Sequence, residues 1–237
     1  MTAVVAQMKL QSLASATVAA SSVRFFKTGP GQYGEGDLFI GVRVPVLRKM
    51  AREFRDLPLQ EVDVLLCSAI HEERLLAILI LTQSLARCDA EHRKRVYDFY
   101  MSRIEHVNNW DLVDTSAPAI VGGHLRDKSR KPLMRLAKST SLWKRRIAIV
   151  ATQHFIRLGE FDDTLSISRV LLLDNEDLIH KAVGWMLREV GERDAAPLVR
   201  FLDEHASVMP RTMLRYAIEH FSSPQRKAWL AMKQSHD

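Results

Sequence analysis

The segment 176–192, EDLIHKAVGWMLREVGE, carries the reading of the fold. Its apolar residues Ile179, Val183, Met186 and Val190 recur three or four positions apart. That spacing puts them on one face of a helix, and no proline interrupts the run. The pattern predicts a helix over 176–192. Within it, Lys181-Ala-Val-Gly-Trp is a cation followed by a small, apolar helical run. The same pattern stands at Arg74-Leu-Leu-Ala-Ile, Arg146-Ile-Ala-Ile-Val and Arg215-Tyr-Ala-Ile-Glu. The anchors lie 72, 35 and 34 residues apart, so the first interval holds two periods of 36. The slot between them is residue 110, and it holds Trp110 instead of a cation. A period in the middle thirties, with two helices per unit, is a solenoid signature.

Outward from this segment the helical spacing continues with little relief. It predicts helices over Pro45–Phe54, Leu59–Cys67, Glu72–Arg87, Glu91–Ile104, Trp110–Leu125, Lys131–Lys138 and Leu142–Leu158. Further along come Asp162–Leu172, Ala195–His205, Pro210–Phe221 and Pro224–Lys233. The connectors are short and rich in Asp, Asn, Ser and Pro, as neighbouring antiparallel helices require. Only 10 glycines and 8 prolines are present, too few for the turns of a β-sandwich or barrel. The glycine-rich stretch 27–37, KTGPGQYGEGD, must be a loop. No Gly-Lys-Ser/Thr follows it, so it is not a phosphate-binding P-loop. The expected organisation is one helical-repeat domain over 1–237. Residues 1–55 supply the N-terminal helices and glycine loop, and 56–237 the tandem two-helix repeats.

Lys and Arg number 34 against 28 Asp and Glu, and the sequence pI is about 9.5. Equivalent helices of successive repeats line one surface. Arg74, Trp110, Arg146, Lys181 and Arg215 would then fall along one line and make a concave basic groove suited to a polyanion. Cys67 and Cys88 match no zinc or redox spacing and read as buried thiols of a reducing cytoplasm. The stretch 1–22 lacks the basic start and long apolar block of a signal peptide and is too polar to span a bilayer. It reads as the first helix of a bacterial-type cytoplasmic or nucleoid-associated protein. His71 and His124 read as helix-end or surface residues. No metal-ligand motif or nucleophile turn is visible, and neither a cofactor nor an obligate protein partner is expected.

Trp110 and Asp114 stand one helical turn apart, as do Lys181 and Trp185. Arg146 holds the matching register on the helix between them. Trp110-Asp-Leu-Val-Asp114 resembles the W-D-x-V-D segment of the AlkD-type alkylpurine DNA glycosylases, the HEAT-like-repeat DNA alkylation repair family. Trp143-Lys-Arg-Arg146 is similar to that family's Trp-x-x-Arg helix. Lys181-Ala-Val-Gly-Trp-Met-Leu-Arg-Glu189 is similar to its K-A-I-G-W-x-L-R-E segment, and the 39 residues from Arg146 to Trp185 also fit. Phe39-Ile-Gly-Val42 with Pro45 and Arg48 resembles its F-x-G-[IV]-x-x-P lead-in. The glycine loop is longer than the family's.

The resemblance implies an all-α, HEAT-like solenoid and a monomer. It also implies hydrolysis of the N-glycosidic bond of cationic N3- or N7-alkylated purines in double-stranded DNA. Asp114 would stabilise the oxocarbenium sugar and orient water, and Trp110 and Trp185 would face the cationic nucleotide. Arg146 would hold a flanking phosphate and keep Asp114 ionised. Arg48, Lys181, Arg188 and Arg74 would contact the backbone, and Tyr33 would stand near the lesion. Glycosylases usually extrude the base into a pocket. Here the lesion would stay largely in the duplex, against an open groove. The alternatives left open are a noncatalytic binder of damaged or branched DNA on the same scaffold, and a helical scaffold for acidic proteins.

Overall fold

A computed structural model describes residues 1–86 and 88–232. All regular structure among them is helical, apart from one parallel bridge between Leu38 and Ile70. The chain gathers into two compact units, Met1–Ile120 and Val121–Asp237.

The first unit contains α1 (Ala3–Ser12), α2 (Ala16–Phe25), α3 (Val44–Glu53), α4 (Leu59–Leu66), α5 (His71–Ser84), α6 (Ala90–Ser102) and α7 (Trp110–Ala117). Helix α5 is its core. Every residue from His71 to Leu81 is buried, and α3, α4 and α7 pack around it. A helix apolar on all sides can satisfy itself only in this central position. Its expected end at Arg87 lies outside the described residues. Before α3, the lead-in strip is fastened at both ends. The buried Glu72 carboxylate accepts from the amides of Ile40, Gly41 and Val42 at 3.1, 2.7 and 3.3 Å. Gly41 has φ +83°, and a Cβ there would lie 2.1 Å from the Ser15 carbonyl oxygen. Only glycine allows that approach.

The stretch 1–22 is two helices, not one. Ser15 caps the second by accepting from the Val18 amide, and its own amide donates to Ile40 O. Cys67 is exposed and Cys88 half-buried, contrary to the buried thiols expected. The helical path runs from Trp110 to Leu125 as expected, but not as one α-helix, since α7 ends at Ala117. Pro118 has no N–H to give the carbonyl one turn back, and the chain passes into a π turn over Pro118–Gly122.

The second unit contains α8 (Gly123–Leu125), α9 (Lys131–Ala137), α10 (Leu142–Ala151), α11 (Gln153–Ile156), α12 (Asp162–Val170), α13 (Asp177–Arg193), α14 (Ala195–His205), α15 (Arg211–Ala217) and α16 (Ser223–Ala231). The long α13 packs against α10, α14 and α15. At Gly184 a Cβ would lie 2.5 Å from both the Met213 carbonyl oxygen and the Tyr216 Cβ, so glycine lets α13 and α15 touch. The expected helix Leu142–Leu158 breaks at Thr152, whose hydroxyl donates back to the Ile149 carbonyl at 2.6 Å. His124 stands at a helix end, in α8, and is buried. The expected last helix end, Lys233, lies outside the described residues.

Candidate nucleic-acid site

Trp110 opens α7. Its backbone amide donates to the side chain of the fully buried N-cap Asn109 at 2.8 Å, so the cap fixes where the indole leaves the backbone. The half-buried ring stacks on Phe26 at 5.3 Å and 18°, and Phe25 meets it edge-on at 5.8 Å. Phe25 keeps 64% of its surface exposed. These rings form a shelf with one open aromatic edge, bearing a π surface that a cationic or stacked base can use. Asp114 follows one turn later and is half-buried. Its charge reaches Tyr100: burial pushes that phenol up, the Ser116 hydrogen bond pulls against the rise, and Asp114 adds to it.

Behind the shelf lies a buried polar network that the sequence did not announce. The His71 Nδ1 meets Asp37 Oδ2 at 3.1 Å and its Nε2 meets Asp111 Oδ2 at 2.8 Å. The ring meets both Phe39 (4.6 Å) and Phe26 (4.9 Å), which also stack on each other at 5.0 Å. Asp37 also receives the Arg74 guanidinium and, at 3.0 Å, the Asn109 side-chain amide. Burial alone would lower the His71 pKa. The hydrogen bonds to Asp111 and Asp37 and the Asp111 charge outweigh burial and the opposing Arg74 charge, and the pKa rises to about 9. Burial works the other way on Asp37. The His71, Arg74 and Asn109 contacts overcome it and hold the carboxyl below the ordinary range.

Arg74 is therefore not a DNA contact in this structure. It is 4% exposed, with one guanidinium nitrogen donating to Ser68 O at 2.8 Å and another bound to Asp37. A buried guanidinium needs a counter-charge, and Asp37 supplies it, although the Arg74 Nε is left without a hydrogen-bond partner. Arg48 stands exposed on α3. Tyr33 donates weakly to the Phe25 carbonyl at 3.4 Å, and it is Phe25 and Phe26 that pack on Trp110. The signal that could have found them is the aromatic pair Phe25-Phe26, after Arg24, at the end of a helix of small residues.

In the second unit, Arg146 is 5% exposed and donates to the Leu178 carbonyl at 2.6 Å, in the first turn of α13. Trp185 is half-buried, its indole N–H donating to Glu189 at 3.1 Å, and Arg193 holds Glu189 from the next turn. Lys181, on the same face of α13, pairs with Asp177 at 2.7 Å and stays part-exposed. That pairing is the main reason the Asp177 carboxyl lies below its ordinary range. Arg188 pairs with Glu219. The structure thus gathers Arg146, Lys181, Trp185 and Arg188 around α13, and Trp110 and Asp114 on α7.

Among the described residues no group of three or more His, Cys, Asp or Glu side chains is arranged to hold a metal ion, and no helix is long and apolar enough to cross a membrane. A family model described as "DNA alkylation repair enzyme" matches residues 6–221. Among solved structures, the "Predicted DNA alkylation repair enzyme from Enterococcus faecalis" superposes with a TM-score of 0.68. It is 18% identical, with 89% of this chain and 97% of that one covered. At that identity the likeness concerns the fold, an all-α helical repeat. No curated protein matches the sequence.

Proposed function

The chain belongs to the DNA alkylation repair enzyme family, and we propose that it is a monofunctional DNA glycosylase acting on cationic N3- or N7-alkylated purines in duplex DNA. Alkylation leaves the purine positively charged, so it departs as a neutral base carrying the C1′–N9 electron pair. No strong general acid is needed. The sugar left behind is an oxocarbenium ion, and the task is to stabilise that cation and deliver water to it. Asp114 can do both. Its carboxylate opposes the developing charge and takes the proton as water adds to C1′, leaving an abasic site.

The observation that carries this reading is the pairing on α7 of a carboxylate with a capped, aromatic-backed tryptophan one turn away. The indole face of Trp110 would hold the cationic nucleotide by an interaction of about 0.5–2 kcal/mol, and the open edge of Phe25 extends that surface. Roles for Trp185 and Arg146 in the reaction rest on the family resemblance, as do backbone contacts by Arg48, Lys181 and Arg188. The duplex is the proposed partner and the monomer the proposed state.

The test is release of free 3-methyladenine or 7-methylguanine from methylated duplex DNA. We expect release by the wild-type chain and a loss of about 100-fold or more in kcat for Asp114→Asn, the scale of removing a charge-stabilising group. Undiminished release by that variant would remove Asp114 from the mechanism. Tight, salt-sensitive duplex binding without release of any base would establish the noncatalytic alternative instead.

A further inference from the structure

We infer that His71, bridging Asp37 and Asp111, is a positioning residue that sets the aim of Trp110 and of the α7 turn carrying Asp114. Its role in turnover rests on the glycosylase reading above. A neutral imidazole has one N–H, yet both ring nitrogens of His71 face carboxylate oxygens, at 3.1 and 2.8 Å. Only the doubly protonated ring donates to both. With the ring neutral, one nitrogen lone pair would confront a carboxylate where His71 and Asp37 are almost fully buried, with only the Arg74 guanidinium, 3.5 Å from Nδ1, as a long alternative donor.

The charges facing the ring are few. Asp37 comes from the loop before α3, Asp111 from α7 and Arg74 from α5 itself. Glu72 and Glu73 on α5 turn away, to the 40–42 amides and to Gln7. Two carboxylates against Arg74 and protonated His71 make the cluster neutral. Loss of the His71 proton leaves it one negative charge in excess.

The geometry connects this balance to the site. Asn109, tied to Asp37 at 3.0 Å, and Asp111, tied to His71 at 2.8 Å, are the two chain neighbours of Trp110. The residue that bears the shelf is therefore clamped on both sides through one cluster. The Phe26 ring completes the connection, lying 4.9 Å from His71 and 5.3 Å from Trp110. When the proton leaves, one of the two anchors fails, the one to Asp37 or the one to Asp111, and the clamp on the indole is loosened.

The experiment combines NMR of the full chain with single-turnover base release from pH 6 to 10. We expect both His71 ring nitrogens to stay protonated through pH 8. The Trp110 indole resonance should titrate together with His71, with a midpoint near pH 9. Base release should fall about 10- to 100-fold above that midpoint through kcat, with KM little changed, because the loss is one of alignment. Asp111→Asn should move both midpoints about one to three pH units lower, since an opposite charge at this range raises a pKa by that much. A merely structural His71 would leave the indole resonance and the rate flat across its own titration. That result, or a singly protonated ring at pH 7, overturns the inference. If the wild-type chain releases no base from any alkylated duplex, the glycosylase reading fails, and the linked titration of His71 and Trp110 still decides the clamp.

Discussion

Moving the pH from 6.5 to 9.5 probes the buried cluster through stability. In the unfolded chain an ordinary His titrates near 6.5, whereas His71 in the fold titrates near 9. Its folded pKa is the higher one. The stabilisation is therefore complete below pH 6.5 and is lost as the pH rises through 9, where folded and unfolded chains are alike deprotonated. At about 1.4 kcal/mol per pH unit, the interval corresponds to about 3 kcal/mol. Asp37 and His205 act outside the window, and Cys67 adds a further loss only above its ordinary 9. Asp37 contributes above its ordinary 3.8 and loses its contribution only as acid reaches its lower folded value. His205 is shifted down, chiefly by burial, and acts below 6.5, while the exposed Cys67 thiol is pushed above 9, chiefly by desolvation. Urea unfolding read at the Trp110 indole resonance reports the first unit. With a slope of about 2–3 kcal/mol/M, the midpoint should drop by about 1 M between pH 6.5 and 9.5. His71→Gln, which has no proton to lose there, should begin lower and stay flat. A wild-type midpoint that does not move over this interval, or an equal slope in the variant, would refute the linkage.

Two further substitutions test what holds the site's scaffold. Glu72→Ala leaves the Ile40, Gly41 and Val42 amides without their common acceptor. At about 1–3 kcal/mol for a buried unsatisfied group, the expected loss is at least about 3 kcal/mol in thermal or urea unfolding, and a loss under about 1 kcal/mol would mean the strip is held by other contacts. In the second unit, Gly184→Ala drives a methyl to within 2.5 Å of the Met213 carbonyl oxygen. Helices α13 and α15 must separate, costing about 1–3 kcal/mol; a neutral Tm would show that they can shift freely.

The helical class and the long element α13 were legible because apolar spacing is a local property. Its observed span, Asp177–Arg193, differs from the expected 176–192 by one residue at each end. The misread boundaries have local causes too, but ones that apolar spacing does not register: the back-bonded hydroxyl of Thr152 and the cap at Ser15, as well as the missing N–H of Pro118 that changes the pitch inside the expected span 110–125. The buried cluster was illegible for a different reason. His71 finds its carboxylates 34 and 40 residues away along the chain, at Asp37 and Asp111. Nothing in the neighbourhood of His71 distinguishes a clamped imidazolium from a surface histidine at a helix start. Trp110 and Asp114 were legible only as a local pair and a family motif; the Phe25–Phe26 shelf beneath them is a tertiary fact.

The repeat itself changes meaning once side chains are placed. Arg74 and Arg146 were aligned as cations of one basic line, yet each is about 95% buried and donates to a backbone carbonyl, of Ser68 and of Leu178. A desolvated guanidinium is costly unless its donors are matched, and breaking such a match costs about 3–5 kcal/mol. Arginine at this register is thus held by internal bonds, and releasing it to reach a phosphate would forfeit them. The register is kept by a packing requirement, a long donor-rich side chain that ties a helix to a neighbouring carbonyl. In the proposed function, attraction for a phosphate backbone is therefore assigned to cations that keep their charge in water, such as the exposed Arg48 and Arg215 and the part-exposed Lys181. The period that revealed the helical repeat therefore speaks to how the helices are joined, and residue 110, where the cation gives way to Trp110, is the position at which the register carries the proposed site instead.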